Sequence, residues 1–300
     1  MRVATFYQHQ QALDSLQRTN QSLDKYSYQL TSGLKAQSYQ DIAGDVNQLL
    51  NLKDLKNNNT TYMSNINTAD SRLSAMDNAL QGMSDLLTQA ASVYTLSRNE
   101  LSADTRATIA PQAEGLAETF YQLMNTQFEG NYIFSGQAGN TQPLSASLTA
   151  NPYPGDPPPT TYYGGDSQRL QVITGPGTVQ EYGVTGDDVG FARIKSGLEA
   201  LVYGLQNDSD TDLDGAITLL QQAQKDVSNM LGNVGGSQSG LQLIKDRHDN
   251  ANAFMQSRID DLEKADITVA STRFAQEQAS LEASLSVTSK ILQISLLKYL

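Results

Sequence analysis

The sequence predicts a mainly α-helical protein: a long antiparallel coiled-coil or helical bundle built from N- and C-terminal arms, with a small β-rich insert between them. Apolar residues recur at steps of three and four along both arms, as they do on one face of a helix. Residues 141–190 between the arms are rich in proline and glycine and contain short β-prone segments. A chain of 300 residues is long enough for about two domains.

The first helix is predicted in the N-terminal arm, where Phe6, Leu13 and the leucines that follow share one face. The last helix is apolar around nearly its whole circumference, from Leu281 onward, so it must be buried somewhere. We expect both termini to be disordered or frayed in a single chain and helical when copies bury one another. The predicted self-assembly residues are Leu13, Leu16, Leu23, Leu30, Leu281, Leu285, Ile291, Leu292 and Ile294.

A heptad pattern from Leu52 to Tyr94 is the strongest periodicity in the chain. No proline interrupts it, and at 1.5 Å per residue it predicts a helix about 60 Å long. Its apolar residues are expected to pack along the seam of a coiled coil. The predicted seam residues are Leu52, Leu55, Tyr62, Ile66, Leu73, Met76, Leu80, Met83 and Leu87.

Further helices are predicted after Asp104, with Pro111 in the first turns or at the true start, and again from Phe191. An acidic loop, Asn207 to Asp212, is expected to interrupt the latter. Four glycines between residues 232 and 240 are expected to bend the next helix or to admit a closely packed neighbour.

The insert is predicted to hold β segments at Thr160 to Tyr163, Leu170 to Ile173 and Thr178 to Val184. The chain should therefore divide into three parts. These are a terminal assembly domain of residues 1–42 and 270–300, a long-helix domain of residues 43–140 and 191–269, and the insert of residues 141–190.

Composition argues against several functional classes. Twenty basic and 32 acidic residues give a net charge of −12, which disfavours nucleic-acid binding. The absence of cysteine excludes disulfides and thiolate metal sites. The N-terminus has no apolar core of a cleaved signal, and no stretch is long enough to span a membrane. We find no catalytic triad or phosphate-binding loop, so no enzyme activity, cofactor or metal is predicted.

A few residues allow a second interpretation. The segment Asp210 to Gln221 matches the start of a calcium-binding loop but has glutamine where the bidentate glutamate should be, so we prefer a solvated loop with an acidic helix start. His248 should be packed or hydrogen-bonded on its helix, and His9 has only glutamines nearby. Tyr153, Tyr162 and Tyr163 could stack on a sugar, although packing is the preferred explanation.

Both ends of the chain, and two internal segments, resemble bacterial flagellin-family proteins. The segments are LDSLQRTNQSLDKYSYQLTSGLKA near the start, NYIFSGQAGNTQP from Asn131, YYGGDSQRLQV followed by VTGDDVGF, and FAQEQASLEASLSVTSKILQISLLKYL at the end. The last of these is most similar to the members that join the flagellar hook to the filament.

This resemblance implies a structural adaptor of the bacterial flagellum, exported by the flagellar type III system and located outside the cell. It implies a ring of identical copies between hook-associated protein 1 and flagellin, and an export chaperone that covers the C-terminal helix. It implies no membrane or nucleic-acid partner. The alternative within the same family is a minor flagellin that forms the filament itself.

Overall fold

The computed structural model describes residues 2–99, 103–145 and 148–297. Within these ranges, the side chains of residues 2–6, 8, 9, 103, 104 and 291–297 are outside the description. Long helices dominate the described part, and two small two-stranded sheets lie in the middle of the sequence. The predicted fold class is confirmed.

Six α-helices and four short strands follow one another along the described chain. The helices are α1 (Arg2–Ser32), α2 (Val46–Ser97), α3 (Ala103–Met124), α4 (Val189–Asn207), α5 (Asp210–Glu263) and α6 (Ile267–Leu297). The strands are β1 (Gln127–Phe128), β2 (Asn131–Tyr132), β3 (Leu170–Gly175) and β4 (Thr178–Tyr182), paired antiparallel as β1–β2 and β3–β4.

The chain forms two compact units, and the boundary between them falls inside α2 and α5. The terminal unit contains Met1–Asn58 and Asn250–Leu300, and the central unit contains Asn59–Asp249. Residues 141–190 belong to the central unit together with α3, α4 and parts of α2 and α5. The division into three domains therefore stays a prediction of the sequence.

The central unit has one apolar core. Its largest fully buried side chains include Phe120, Phe134 and Phe191, and the Phe134 and Phe191 rings lie 5.2 Å apart. The helices α2 and α5 run antiparallel here, because Gln224 reaches Ser84 and Gln238 reaches Ser74 through side-chain hydrogen bonds. The helices α3 and α4 pack against each other in the same unit.

Several predicted boundaries are wrong. The acidic loop is only Asp208 and Ser209, because Asp208 ends α4 in a left-handed conformation and α5 begins at Asp210. Residues 160–163 form a turn with a single bridge from Leu144 to Tyr163 instead of a strand. The hairpin strand ends at Tyr182 instead of Val184, and Pro111 lies well inside α3.

The four glycines of α5 do not interrupt the helix, which continues from Asp210 to Glu263. A methyl group added at Gly232, Gly235, Gly236 or Gly240 would meet nothing within 4 Å, so no neighbouring segment within the described chain approaches them closely. The expectation of a close neighbour at these glycines is therefore wrong for the single chain. The buried side chains of Val234 and Leu241 hold this stretch of α5 against the core.

Replacing Gly215 of α5 by alanine should lower the free energy of unfolding by about 1–3 kcal/mol, because the new methyl group would overlap the half-buried ring of Tyr153. The matched change Gly232→Ala meets open space, and it should raise that free energy by about 0.5–1 kcal/mol through helix propensity. Urea denaturation followed by circular dichroism measures both. Equal effects of the two substitutions would contradict the packing of Tyr153 on α5.

Candidate assembly surface

The two terminal helices form an antiparallel pair in the terminal unit. Gly33, with a φ of 72°, ends α1 and turns the chain. The amide of Lys35 donates to the carbonyl of Glu263 at 2.7 Å, and the amide of Ala265 donates to the carbonyl of Gly33 at 2.9 Å. These bonds place the end of α1 beside the start of α6, so α6 runs back along α1.

The contact between α1 and α6 is only partly buried. Among their described side chains, Thr19 and Ala270 alone are buried. The predicted assembly residues Leu16, Leu23, Leu30 and Leu281 are half-buried. The contact face of α6 also contains Glu277, Ser284 and Thr288, also half-buried. A pair with so little apolar burial is weakly stabilised by itself.

Other apolar side chains of the pair face solvent in the single chain. Leu13 is 59% exposed and Leu285 52%, and the sequence predicted both as assembly residues. Tyr7 and Val287, which it did not predict, are 68% and 55% exposed. The side chains of the predicted residues Ile291, Leu292 and Ile294 lie outside the described residues.

Exposed apolar residues are concentrated in the terminal unit. Of the fifteen large apolar side chains described as exposed, eleven belong to this unit and four to the central unit. The terminal unit has 11 basic and 11 acidic residues, whereas the central unit has 9 basic and 21 acidic residues. The whole net charge of −12 is therefore in the central unit, and the terminal unit has no net charge that would keep copies apart.

Three ion pairs are described in the same unit: Lys53–Glu263, Arg258–Asp261 and Lys264–Asp260. Lys53 Nζ lies 2.5 Å from Glu263 Oε1, and this hydrogen bond raises the pKa of the Lys53 ammonium. Lys264 Nζ lies 2.6 Å from Asp260 Oδ2, and its hydrogen bond lowers the pKa of the Asp260 carboxyl. Lys53 thus ties the start of α2 to the end of α5.

The predicted seam residues of α2 fall into two groups. Leu52 and Tyr62 are half-buried, and Leu55 is 48% exposed. The others lie in the core of the central unit. They are Ile66, Leu73, Met76, Leu80, Met83 and Leu87.

The segment from Asp210 to Gln221 is helical, so the calcium-loop alternative is wrong. An EF-hand loop must wrap around its ion, whereas here the carboxylates leave a helix and pair with other groups. Asp210 pairs with Arg98 at 2.6 Å, and Asp212 accepts from the amide of Tyr153 at 2.8 Å. No cluster of metal-ligating side chains is present among the residues that the structure describes.

The tyrosines of the insert are packed instead of displayed. Tyr153 and Tyr162 pack against the core of the central unit. The Tyr162 hydroxyl donates to the carbonyl of Gly186 at 2.8 Å, and burial raises its pKa. Tyr163 is half-buried, and its hydroxyl lies 2.9 Å from the Phe134 carbonyl. Packing and hydrogen bonds therefore account for these three half-buried rings.

The structure describes the side-chain contacts of His248 but not those of His9. His248 Nε2 donates to the carbonyl of Thr174 at 2.7 Å, and its ring lies 5.8 Å from that of Tyr62. It thus fastens the β3–β4 hairpin to α5, and its prediction as a hydrogen-bonded helix residue agrees with this contact. The side chain of His9 lies outside the described residues. No described helix is long and apolar enough to span a bilayer.

Two known protein-family regions match the helical parts of this chain. The bacterial flagellin N-terminal helical region matches residues 3–139, and the bacterial flagellin C-terminal helical region matches residues 217–300. The chain belongs to the flagellin family. The matched regions contain α1, α2 and α3 at one end and α6 with most of α5 at the other.

Similarity to individual proteins covers between 71% and 99% of the chain. Flagellar hook-associated protein 3 of Escherichia coli strain K12 is 22% identical over 99% of this chain and 98% of its own length. A putative flagellar hook-associated protein from Vibrio parahaemolyticus has the same fold, with a TM-score of 0.65 at 19% identity over 75% of this chain and all of its own. Bacillus cereus FlgL gives a TM-score of 0.57 at 17% identity, over 71% of this chain and 99% of its own.

Proposed function

We propose that this flagellin-family protein is a structural adaptor that joins the hook-associated ring of the bacterial flagellum to the flagellin filament, and that it is not an enzyme. One observation carries the proposal: exposed apolar side chains are concentrated in a terminal unit without net charge. Such a surface favours burial against other copies. Similarity to hook-associated protein 3 along the whole chain supports the same assignment.

The proposed mechanism is association coupled to folding of α1 and α6. Neighbouring copies would bury Leu13, Leu285 and their surroundings, and the half-buried leucines would complete their packing in the same step. Both segments are helical in this structure. Their disorder or fraying in an isolated, dilute chain stays a prediction. The long helices of the central unit would act as the stiff layer that transmits torque.

The proposed partners follow from the same role. Copies of the chain would form a ring, hook-associated protein 1 would lie on one side and flagellin on the other. Before assembly the chain would leave the cell through the flagellar type III system, with an export chaperone on the apolar end of α6. None of these partners requires a cofactor, a metal, a nucleic acid or a membrane.

Deletion of the gene in its own bacterium tests the proposal. Cells should keep their hooks, lose their filaments and release unassembled flagellin into the medium, and a plasmid copy of the gene should restore filaments. Electron microscopy of the cells and an immunoblot of flagellin in the medium measure this. Normal filaments on cells without the gene would refute the adaptor role.

A minor flagellin remains the alternative, because the matching family regions are those of flagellin. Purified chain added to short filament seeds separates the two functions. An adaptor should cap or ignore the seeds, whereas a flagellin should extend them into filaments many times longer.

A further inference from the structure

We propose that the two sides of the α1–α6 pair bind each other between copies, the acidic side of one copy against the basic side of the next. This inference rests on the proposed function, since it identifies the surface through which copies would associate. The acidic side carries Leu13, Leu285, Asp24 and Glu282. The basic side carries Tyr7, Val287, Arg18, Lys25 and Arg273.

Helix geometry assigns residues to the two sides. Buried and half-buried residues mark the contact face, which is centred near Thr19 on α1 and Leu281 on α6. Successive residues advance by about 100°, so Leu13 is turned by about 110° from the centre of this face and Leu285 by about 60° in the same sense. In an antiparallel pair, rotation in the same sense on both helices leads to the same side. Leu13 and Leu285 therefore share a side.

The two leucines also lie at the same height along the pair. A bridge joins Leu34 to Lys264, and Leu13 and Leu285 are each about 21 residues away from it along helices of equal rise. Rotation in the opposite sense places Tyr7 and Val287 on the other side, about 6 Å apart in height. Each side thus presents two exposed apolar residues at the same end of the pair.

Charges differ in sign between the sides. Asp24 and Glu282 are turned towards the side of Leu13, and both are exposed. Arg18, Lys25 and Arg273 are turned towards the side of Tyr7, and all three are exposed.

By the same rotation Asp14 is turned towards the side of Tyr7, about as far as Asp24 is turned towards the other side, and Lys290 points directly away from the contact. The basic side therefore has three basic residues against one acidic residue and keeps a net positive charge. Within the described part of the terminal unit, the ion pairs involve other residues. The charges of both sides are therefore available to a neighbouring molecule.

A second copy of this chain fits both sides. Each side combines an apolar pair with charges, and the two sides are complementary in sign, so one contact satisfies both. A two-fold contact through one side would instead place like charges opposite each other. Repetition of a head-to-tail contact produces a ring or a helical array, as the adaptor role requires.

Charge reversal in pairs of chains tests the proposal. A basic variant, Asp24→Lys with Glu282→Lys, has two basic sides. An acidic variant, Arg18→Glu with Lys25→Glu and Arg273→Glu, has two acidic sides. Either variant alone, in cells that lack the native gene, should reduce the number of filament-bearing cells by about tenfold or more, because like charges would face each other between copies. Both variants expressed together should restore filaments, since their sides are again complementary.

The controls separate this interface from general effects of charge. Asp54→Lys with Asp85→Lys makes the same change in net charge as the basic variant at two exposed positions of α2, and it should leave filaments unchanged. Circular dichroism of each purified variant should match the native chain, and immunoblots should show equal levels in the cells.

The outcomes distinguish the interface from the function. If deletion of the gene removes filaments and the native copy restores them, but the two variants together do not, the two-sided contact is wrong and the adaptor role stands. If single variants assemble normally, the two-sided contact is also wrong. If deletion leaves filaments intact, the adaptor role and the interface both fail.

Discussion

A chain that ends at residue 284 should fail to assemble while its central unit stays folded. Deletion of residues 285–300 removes Leu285, Val287 and the last turns of α6, so the first half of α1 loses its partner. Among the described residues, the buried core of the central unit ends at Leu241, and the last apolar residue packed against it is Ile244. We therefore expect filaments to be absent in complemented cells, with thermal unfolding of the central unit nearly unchanged.

A milder variant with two substitutions, compared with a matched control, isolates the contribution of the exposed apolar side chains. Leu285→Ser with Val287→Ser should reduce swimming by about tenfold, because each side of the pair then loses an apolar anchor. The matched change is Ile173→Ser with Val179→Ser, a pair on the β3–β4 hairpin that is 53% and 52% exposed. Cells with this control variant should swim normally.

Filament growth in cells that carry only the chain ending at residue 284 would contradict the role proposed for α6.

Replacing Phe134 by alanine should lower the free energy of unfolding by about 3–5 kcal/mol. The ring is fully buried against Phe191, and the backbone carbonyl of the same residue accepts a hydrogen bond from Tyr163. The cavity would therefore lie where the insert joins the helices of the central unit. Urea denaturation followed by circular dichroism measures the loss.

Phe254 provides the control for this substitution. It is 66% exposed in the terminal unit, so Phe254→Ala should change the free energy of unfolding by less than about 0.5 kcal/mol. Losses of similar size for the two substitutions would mean that Phe134 is not a central element of the core.

The helices could be predicted because the apolar residues that face the core recur at regular steps along the sequence. Seam positions such as Leu73, Met76 and Leu80 recur at steps of three and four, and these residues are buried in the central unit. The β1–β2 pair could not be predicted, because two-residue strands have no periodicity to detect. The helix start at Asp210 lies earlier than the sequence predicts for a different reason: aspartate is common both in loops and at helix N-termini. In the structure the Asp212 amide donates to Ser209 Oγ, and Asp210 pairs with Arg98 and Arg106.

The assembly surface could likewise be predicted in part from the sequence, and the rest depended on the tertiary structure. Amphipathic spacing by itself placed Leu13 and Leu16 on one broad apolar stripe, and Leu281 and Leu285 on another. Only the position of the partner helix decided that Leu16 and Leu281 are half-buried and that Leu13 and Leu285 face solvent. A sequence determines which side chains avoid water, because that property belongs to each residue. Which of these side chains is buried within its own chain depends on the angle and height at which two distant helices meet.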